Sequence, residues 1–285
     1  MANQLLKLSR LAAVLVAIAA AAHADDAYKV ITAVEYSHPQ GVSLHLDAHI
    51  PPGTGPFPAV VLVHGGGWTA GDRTAAFVRP LFGVLDQTGF AWFTIDYRLA
   101  PVHSYPEAVD DVEAAVRYVK QHAKEYHVDP GRIALMGESA GGHLVNLVGA
   151  RNNAGVAAVV CFYGPIDMVL WSERLKGKPL STDLKAFFGI DSLDQAGIEK
   201  IRQTSPRIYL NPKTPPFLII HGTKDEAVDF GQAQLAVELL NKNGTPCELI
   251  TVQDGVHGVI NWEKEQRFQA YKQPLIAWLH RTLAK

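Results

Sequence analysis

Hydrophobic residues in this chain are arranged in short, predominantly apolar runs separated by longer amphipathic stretches. From residue 59 onward these runs recur at 59–63, 90–95, 133–136, 156–162, 216–220 and 247–252. Apolar runs of this length are typical of strands that are buried on both faces of a parallel sheet. The alternation of strand and helix therefore predicts an α/β fold with a mostly parallel central sheet and helices on both sides.

The stretches between the runs have helical spacing. After Pro106, which suits the first turn of a helix, valines from Val109 to Val119 form one apolar stripe. Further helices are predicted near 75–87, after residue 139, at 231–243 and up to the C-terminus.

Two further strands are predicted at 28–36 and 42–50, before the first buried run. We expect them to form an antiparallel pair where the chain enters the sheet. In the second strand apolar residues alternate with His45, Asp47 and His49. These three side chains indicate either a metal site or the solvated face of an edge hairpin. Because no further ligand lies nearby in the sequence, the hairpin is favoured, and neither a metal nor an organic cofactor is predicted.

The N-terminal segment differs from the rest of the chain. Basic residues at positions 7 and 10 precede an apolar run at 11–22, which ends in small residues. This pattern is typical of a secretory signal peptide, and the run is too short for a comfortable membrane span. We therefore predict a cleaved signal peptide at 1–24, a single domain at 25–285, and a secreted or periplasmic protein. The mature protein is expected to have no stable membrane association. An uncleaved N-terminal anchor is the alternative.

Composition narrows the class of protein further. The chain has 285 residues, 48% of them hydrophobic, and a formal net charge of −2. This length and hydrophobic content suffice for one large core, and the charge gives no basic surface for nucleic acid. Between residues 164 and 210 the alternation of strand and helix is lost. A segment of this length is typical of a lid over a functional site or of a surface excursion with its own short helices.

The two cysteines belong to different predicted strands. Cys161 falls late in one strand and Cys247 at the start of another. In a parallel sheet we expect them at opposite ends, beyond the ~7 Å Cα separation that a disulfide allows. We therefore predict two buried free thiols, although an exported protein meets an oxidising environment.

The apolar run at 133–136 leads directly into a Gly-x-Ser-x-Gly sequence at 137–141, after which helical spacing resumes. A strand, a tight turn and a helix are predicted, with glycines where a Cβ would clash. Ser139 would then lie at the N-terminus of a helix, where the dipole favours negative charge. Alone, this pentapeptide is equally compatible with a glycine-rich turn that holds an incidental serine.

Candidate partners for Ser139 also follow predicted strands. Because the carboxyl ends of parallel strands lie along one edge, we expect Asp225 and His257 to gather beside Ser139. A serine nucleophile needs a base, and the unperturbed pKa of histidine, ~6.5, suits His257 to that role. Asp225 would fix the tautomer of His257 and stabilise its protonated form.

A glycine run at 65–67 also follows a predicted strand and offers backbone donors. The N–H groups of Gly65, Gly66 and Ala140 are predicted to bind the oxyanion that forms during acyl transfer. Several nearby residues are weaker candidates for the triad. His64, His143 and His221 are interpreted as structural histidines, with Glu226 and Asp229 as alternatives to Asp225.

Motifs along the chain together resemble those of a known superfamily. They are His64-Gly65-Gly66-Gly67-Trp68, the segment 96–101, Gly137-Glu138-Ser139-Ala140-Gly141-Gly142, the segment 221–225, and His257-Gly258. The chain resembles the α/β-hydrolases, especially the hormone-sensitive-lipase-like esterases and the bacterial feruloyl- and acetylxylan-esterase-like enzymes. The resemblance spans about residues 30–285, and the order serine, aspartate, histidine agrees with it.

This resemblance implies an α/β-hydrolase fold with a lid-like insertion at about 164–210. It also implies a serine carboxylesterase that forms an acyl-enzyme, needs no cofactor, and accepts short-chain, acetyl or feruloyl esters. The substrate would be a small molecule or an ester linked to plant polysaccharide. Trp68, Trp171, Phe187 and Phe188 are hypothesised to line an apolar substrate pocket. The alternatives are an amidase, formamidase or exopeptidase with the same triad, or a non-catalytic binding protein. The sequence leaves the oligomeric state open.

Overall fold

A computed structural model describes residues 27–173, 175, 177 and 179–284. The predicted signal peptide at 1–24 lies outside the described residues and stays a prediction. The described chain contains one eight-stranded sheet. Its strands are β1 (Lys29–Ser37), β2 (Leu44–Ile50), β3 (Phe57–Val63), β4 (Ala91–Ile95), β5 (Val128–Glu138), β6 (Ala158–Phe162), β7 (Phe217–Gly222) and β8 (Cys247–Val252).

The sheet has the order β1-β2-β4-β3-β5-β6-β7-β8. Strands β3 to β8 are all parallel to one another, whereas β2 runs antiparallel to both of its neighbours, β1 and β4. This topology confirms the predicted α/β-hydrolase fold. Val63 pairs with Gly137 and Glu138 pairs with Phe162, so β3, β5 and β6 end level with one another. The loops that leave these strands therefore start from the same edge.

Helices pack on both faces of the sheet. They are α1 (Phe82–Asp86), α2 (Glu107–Gln121), α3 (Ala140–Arg151), α4 (Met168–Glu173), α5 (Thr182–Phe188), α6 (Gln195–Gln203), α7 (Gly231–Lys242), α8 (Val259–Trp262) and α9 (Lys272–Leu283). Alternate residues of β3 face the two helical layers, as the period of a strand requires. Val61 and Val63 pack in the core with α2, α3 and α7, and Val60 and Leu62 pack in the core with α1 and α9.

The helix predicted near 75–87 is shorter than expected. A 3-10 turn at Arg79–Leu81 precedes α1, which covers only Phe82–Asp86. Pro80 lies in that turn and has no N–H to donate, so it is tolerated at a helix start and not in a helix interior. The segment before it forms turns instead of a helix.

The cysteines are both free, as predicted. Cys161 is buried but Cys247 is only half-buried, which corrects the prediction of two buried thiols. They also do not lie at opposite ends of the sheet, because Cys161 pairs with Ile219 and Cys247 with Phe217 of β7. Strand β7 separates them, and two inter-strand spacings amount to about 9.6 Å, which still exceeds the span of a disulfide.

Strands β1 and β2 form the predicted antiparallel hairpin at the edge of the sheet, but the face that carries His45, Asp47 and His49 is at least half-buried instead of solvated. Asp47 is buried and accepts hydrogen bonds from the Ala33 N–H at 2.7 Å and from Arg73 Nε at 2.8 Å. The His49 ring stacks on Trp92 with centroids 3.5 Å apart. Within the described part of the chain no group of histidine, cysteine, aspartate and glutamate residues has the geometry of a metal site.

We call the segment 164–210 the cap. It contains α4, α5, α6 and a 3-10 turn at Pro206–Tyr209. The Tyr105 N–H donates to the Phe187 carbonyl at 2.9 Å, and the Tyr105 hydroxyl donates to the Gln203 carbonyl at 2.9 Å. Buried Phe187, Phe188 and Ile201 belong to the same core cluster as the sheet. The cap is therefore packed on the domain through its own apolar residues.

None of the helices in the described ranges is both long and apolar enough to span a membrane.

Candidate active site

Ser139 occupies a strained turn between β5 and α3. Its φ of 55° and ψ of −117° lie in a region that non-glycine residues rarely adopt, at a cost of about 1–3 kcal/mol. A Cβ on Gly137 would meet the Gly141 carbonyl oxygen at 2.4 Å, and a Cβ on Gly141 would meet the Val63 carbonyl oxygen at 2.2 Å. The glycines on either side of the serine are therefore needed for the close packing of strand and helix, as the motif predicted.

The structure brings together the three residues predicted as a triad. Ser139 Oγ lies 2.8 Å from His257 Nε2, although 118 positions separate them in the chain. His257 Nδ1 donates to Asp225 Oδ2 at 2.7 Å. This arrangement leaves Nε2 as the acceptor of the Ser139 proton, which is what a general base requires.

The environment of Asp225 favours its ionised form. Burial by itself raises the pKa of Asp225, but hydrogen bonds from His221 and His257 outweigh it and hold the pKa below its usual range. The N–H groups of Ala227 and Val228 both donate to Oδ1 at 2.8 Å. The alternative acid Asp229 instead accepts from the Gly231 N–H at 2.7 Å. Asp225 is thus the carboxylate placed to orient His257.

The other histidines at this edge have structural partners. His64 Nδ1 bonds the Gly65 carbonyl at 2.8 Å, His143 Nε2 the Thr204 carbonyl at 2.7 Å, and His221 Nε2 the Val228 carbonyl at 2.8 Å. Burial lowers the pKa of His64 and of His143 to about 4, so both rings are neutral at physiological pH. These contacts agree with their interpretation as structural residues.

Gly65 does not offer its N–H to the site, which corrects the sequence assignment. Its N–H donates to Glu138 Oε1 at 2.5 Å, and a Cβ on Gly65 would overlap that carboxylate at 2.2 Å. The carboxylate of Glu138 is buried, and this raises the pKa of Glu138 to about 7. Sequence reasoning missed Glu138, because the second position of Gly-x-Ser-x-Gly carries no requirement for an acid.

The glycine loop nevertheless reaches the nucleophile. Gly67 and Ala140 line the same cavity as Ser139 and His257. Ala140 is the first residue of α3, so its N–H has no acceptor within the helix. Gly66 and Gly67 have φ values of 97° and 61°, a conformation that turns the backbone sharply and favours glycine. Of the glycine run, Gly67 lines the cavity together with Ala140, which was predicted, whereas Gly65 and Gly66 do not line it.

A cavity of about 210 Å³ opens at Ser139. Its walls are mainly apolar. They come from the glycine loop, the turn at Ser139, the cap and the loops that carry Asp225 and His257. The lining residues are Gly67, Trp68, Ser139, Ala140, Pro165, Trp171, Leu184, Ala227, Val228 and His257. The cap therefore contributes Pro165, Trp171 and Leu184 to the cavity wall.

The aromatic residues predicted to line the pocket have different positions. Trp68 and Trp171 line it, with ring centroids 6.1 Å apart at 87°. Phe187 and Phe188 do not line it, because they are buried behind Trp68, and the Phe187 ring stacks on Trp68 at 4.5 Å. They support the wall of the cavity without forming it. Leu184, one helical turn before them, lines the cavity and was missed.

Both indole N–H groups in the cavity wall are engaged. Trp68 Nε1 donates to His143 Nδ1 at 3.2 Å, and Trp171 Nε1 donates to the Ala227 carbonyl at 3.2 Å. The first contact fixes Trp68 to α3, the helix that follows Ser139. The second joins the cap to the loop that holds Asp225.

A parallel α/β sheet with serine, histidine and aspartate joined at its carboxyl edge defines the class of protein: the chain is an α/β hydrolase of the esterase branch. Within that class it belongs to the BD-FAE family, whose model matches residues 46–240.

Curated relatives and solved structures agree with this assignment. The probable carboxylic ester hydrolase LipM of Mycobacterium tuberculosis is 30% identical over 201 residues, which cover 66% of this chain and 46% of LipM. The carboxylesterase NlhH of the same species is 32% identical over 218 residues, which cover 72% of this chain and 67% of NlhH. A thermophilic esterase from Thermogutta terrifontis is 25% identical with a TM-score of 0.70, covering 89% of this chain and 91% of that chain. This chain thus spans about half the length of LipM.

Proposed function

We propose that the protein is a serine carboxylesterase. The observation that carries this proposal is the continuous chain of hydrogen bonds from Ser139 Oγ through His257 to Asp225, which opens into an apolar cavity. His257 takes the Ser139 proton as Oγ bonds the ester carbonyl carbon. The tetrahedral intermediate then collapses, and the alcohol leaves with the proton from His257.

Hydrolysis of the acyl-enzyme uses the same groups in reverse. His257 removes a proton from water, the resulting hydroxide bonds the acyl carbon, and the proton returns to Ser139 as the acid leaves. Asp225 stays ionised throughout and stabilises the protonated ring of His257.

The N–H groups of Ala140 and Gly67, with Gly66 beside it, are the proposed donors to the oxyanion. Each such donor contributes about 3–4 kcal/mol to the stabilisation of the transition state in comparable hydrolases. The hydrogen bond from the Gly65 N–H to Glu138 anchors the start of this loop to the end of β5.

The cavity favours short, unsubstituted acyl groups. Its mainly apolar lining would leave a charged or hydroxylated acyl group without compensating hydrogen bonds, which is costly in a desolvated site. The indole N–H groups of Trp68 and Trp171 are already engaged with protein acceptors. These features support acetyl to short-chain acyl esters over feruloyl esters.

The test is hydrolysis of p-nitrophenyl esters from acetate to dodecanoate by the protein and by Ser139→Ala. Matched anilides of the same acids measure amidase activity, and methyl ferulate tests the aromatic acyl group. We expect acetate and butanoate to be the best substrates, and turnover to fall to the background rate in Ser139→Ala. Ser43→Ala, which changes an exposed serine outside the cavity lining, is the control.

Two outcomes would contradict the proposal. Turnover of anilides at rates equal to those of the esters would favour an amidase with the same triad. Ester hydrolysis in Ser139→Ala at the wild-type rate would remove Ser139 as the nucleophile.

A further inference from the structure

A buried polar side chain lies directly behind the nucleophile. Glu138 precedes Ser139, is 3% exposed, and accepts the Gly65 N–H at 2.5 Å. The reaction proposed above assigns it no step. A carboxylate buried at such a position needs hydrogen-bond partners, and these partners show what it connects.

The completely buried hydroxyl of Tyr163 is a second polar group near the Glu138 carboxylate, and its interaction with that carboxylate favours the ionised form. The same hydroxyl accepts the Val259 N–H at 2.8 Å. Val259 is the first residue of α8, two positions after His257, so its N–H has no acceptor within the helix. Tyr163 thus joins the carboxylate of Glu138 to the loop that carries His257.

The backbone of Tyr163 is also unusual. It follows β6 with a φ of 39°, a left-handed conformation that is strained for an aromatic residue. Its N–H donates to the Ile220 carbonyl at 2.9 Å, and its ring meets the His257 ring edge-on with centroids 4.7 Å apart. Strained residues that persist at a site are held there by their surroundings and cluster where function requires a fixed geometry.

We propose that Glu138 and Tyr163 act together as positioning residues, a buried brace that holds the glycine loop and the His257 loop in register with Ser139. The brace runs from Gly65 through Glu138 and Tyr163 to Val259, so it links the loops that follow β3, β5, β6 and β8. This inference rests on the proposed function, because it assigns the brace to the geometry of the oxyanion donors and the base.

The brace predicts a specific kinetic signature. None of the brace residues lines the cavity or makes a triad hydrogen bond, so binding of the ground-state ester should be almost unaffected. Loss of the brace lets the glycine loop and His257 shift relative to Ser139, which weakens stabilisation of the tetrahedral state. A change that acts only on the transition state lowers kcat and leaves KM in place.

Tyr163→Phe tests this because it keeps the ring and removes only the hydroxyl. We expect kcat for p-nitrophenyl acetate to fall about 10- to 100-fold, since misplacing reacting groups by about 1 Å costs about 100-fold. KM should stay within about twofold, and the affinity for phenylboronic acid, a tetrahedral analogue, should fall in parallel with kcat.

Tyr271→Phe is the matched control. Tyr271 is a buried tyrosine of the same core whose hydroxyl has no hydrogen-bond partner among the residues that the structure describes. Its loss removes a buried hydroxyl without breaking the brace, so kcat and boronate affinity should stay at the wild-type values. Circular dichroism of each variant measures whether the fold is retained.

Glu138→Gln and the double variant complete the test. Glutamine keeps an acceptor for Gly65 but removes the negative charge beside the Tyr163 hydroxyl, so kcat should fall in the same direction. Because the two side chains form one unit, the double variant should be no slower than the slower single variant.

Two results would overturn the brace: kcat and boronate affinity within about twofold of wild type in either single variant, or effects that simply add in the double variant. If Tyr163→Phe does not fold, Glu138→Gln alone decides by the first criterion. Failure of the proposed function is recognised separately, because Ser139→Ala would then retain the wild-type turnover.

Discussion

Two regions of the molecule meet at Ser139, and they are constructed differently. The sheet edge fixes its functional groups through the backbone: Ser139 lies in a strained turn between close-packed glycines, and two backbone N–H groups hold Asp225. The cap is fixed mainly through side chains, since Phe187 stacks on Trp68 and His143 bonds the Thr204 carbonyl.

This difference suggests a division of roles, in which the sheet edge holds the reacting groups and the cap forms part of the substrate cavity. Strand ends determine where Ser139, Asp225 and His257 lie, so the proposed reaction depends on the sheet. The cap supplies Trp171 and Leu184 to the cavity wall, so in the proposed reaction the accepted size of the acyl group depends on side chains that the sheet does not fix. Changes at the edge should therefore act on rate, and changes in the cap on stability and substrate preference.

Asp225→Asn is the sharpest test of the edge. Asparagine fills the same space but cannot stabilise protonated His257, and it favours the wrong tautomer. We expect kcat for p-nitrophenyl acetate to fall about 10⁴-fold with KM little changed, by analogy with the same change in a serine protease. Steady-state kinetics on the two proteins measure it.

Asp229→Asn provides the control for that change. Asp229 lies four positions further on, and its carboxylate accepts the Gly231 N–H, a contact that the side-chain oxygen of asparagine also makes. Its kcat should stay within about twofold of wild type. Equal losses in both variants would mean that the loop, and not the triad carboxylate, controls the rate.

Phe187→Ala tests the cap, where the expected effect is on stability and KM instead of on kcat. Phe187 is 1% exposed and supports Trp68, so the variant should lose about 3–5 kcal/mol of stability in urea unfolding. Because the Trp68 wall loosens, KM should rise more than kcat falls. Phe217→Ala, equally buried in β7 away from the cavity, should lose similar stability with unchanged KM. A rise of KM in both would contradict the local role of Phe187.

The triad was predictable because its geometry follows from topology. Ser139, Asp225 and His257 each come directly after a strand, and parallel strands bring such positions to one edge whatever the details of packing. The predicted sheet was equally accessible, because continuous apolar runs identify strands that are buried on both faces.

The residues that sequence reasoning misplaced depend on tertiary contacts. The Gly65 N–H donates to Glu138 and Gly67 lines the cavity, and neighbouring glycines look alike in the sequence. Leu184 and Phe187 lie one turn apart on α5, and only the docked position of that helix determines which one reaches the cavity.

Glu138→Gln should change the free energy of unfolding by a smaller amount, which depends on pH. Burial raises the pKa of Glu138 to about 7 from 4.5, so the folded state binds the proton more tightly than the unfolded state. The proton on Glu138 therefore stabilises the folded wild type fully below pH 4.5, the pKa of this group in the unfolded chain. That stabilisation is lost as the pH rises through the folded pKa of about 7. Relative to wild type, the variant should gain up to about 3 kcal/mol between pH 4.5 and pH 7.5. Urea unfolding of both proteins at these two pH values measures it, and a constant difference would contradict burial of a titrating Glu138.

The smallest expected effect concerns the preference for acyl length. Leu184→Ala enlarges the cavity on the cap side, and because Leu184 makes none of the triad or glycine-loop contacts, the rate on acetate should change little. One methylene in an apolar pocket is worth about 10-fold or more in discrimination, so the ratio of kcat/KM for hexanoate to that for acetate should rise by about this factor. Leu193→Ala makes the same chemical change in the cap but outside the cavity lining, and it should leave the ratio unchanged. If both variants shifted the ratio equally, general loosening of the cap would explain the preference, and the division between a catalytic edge and a selective wall would fail.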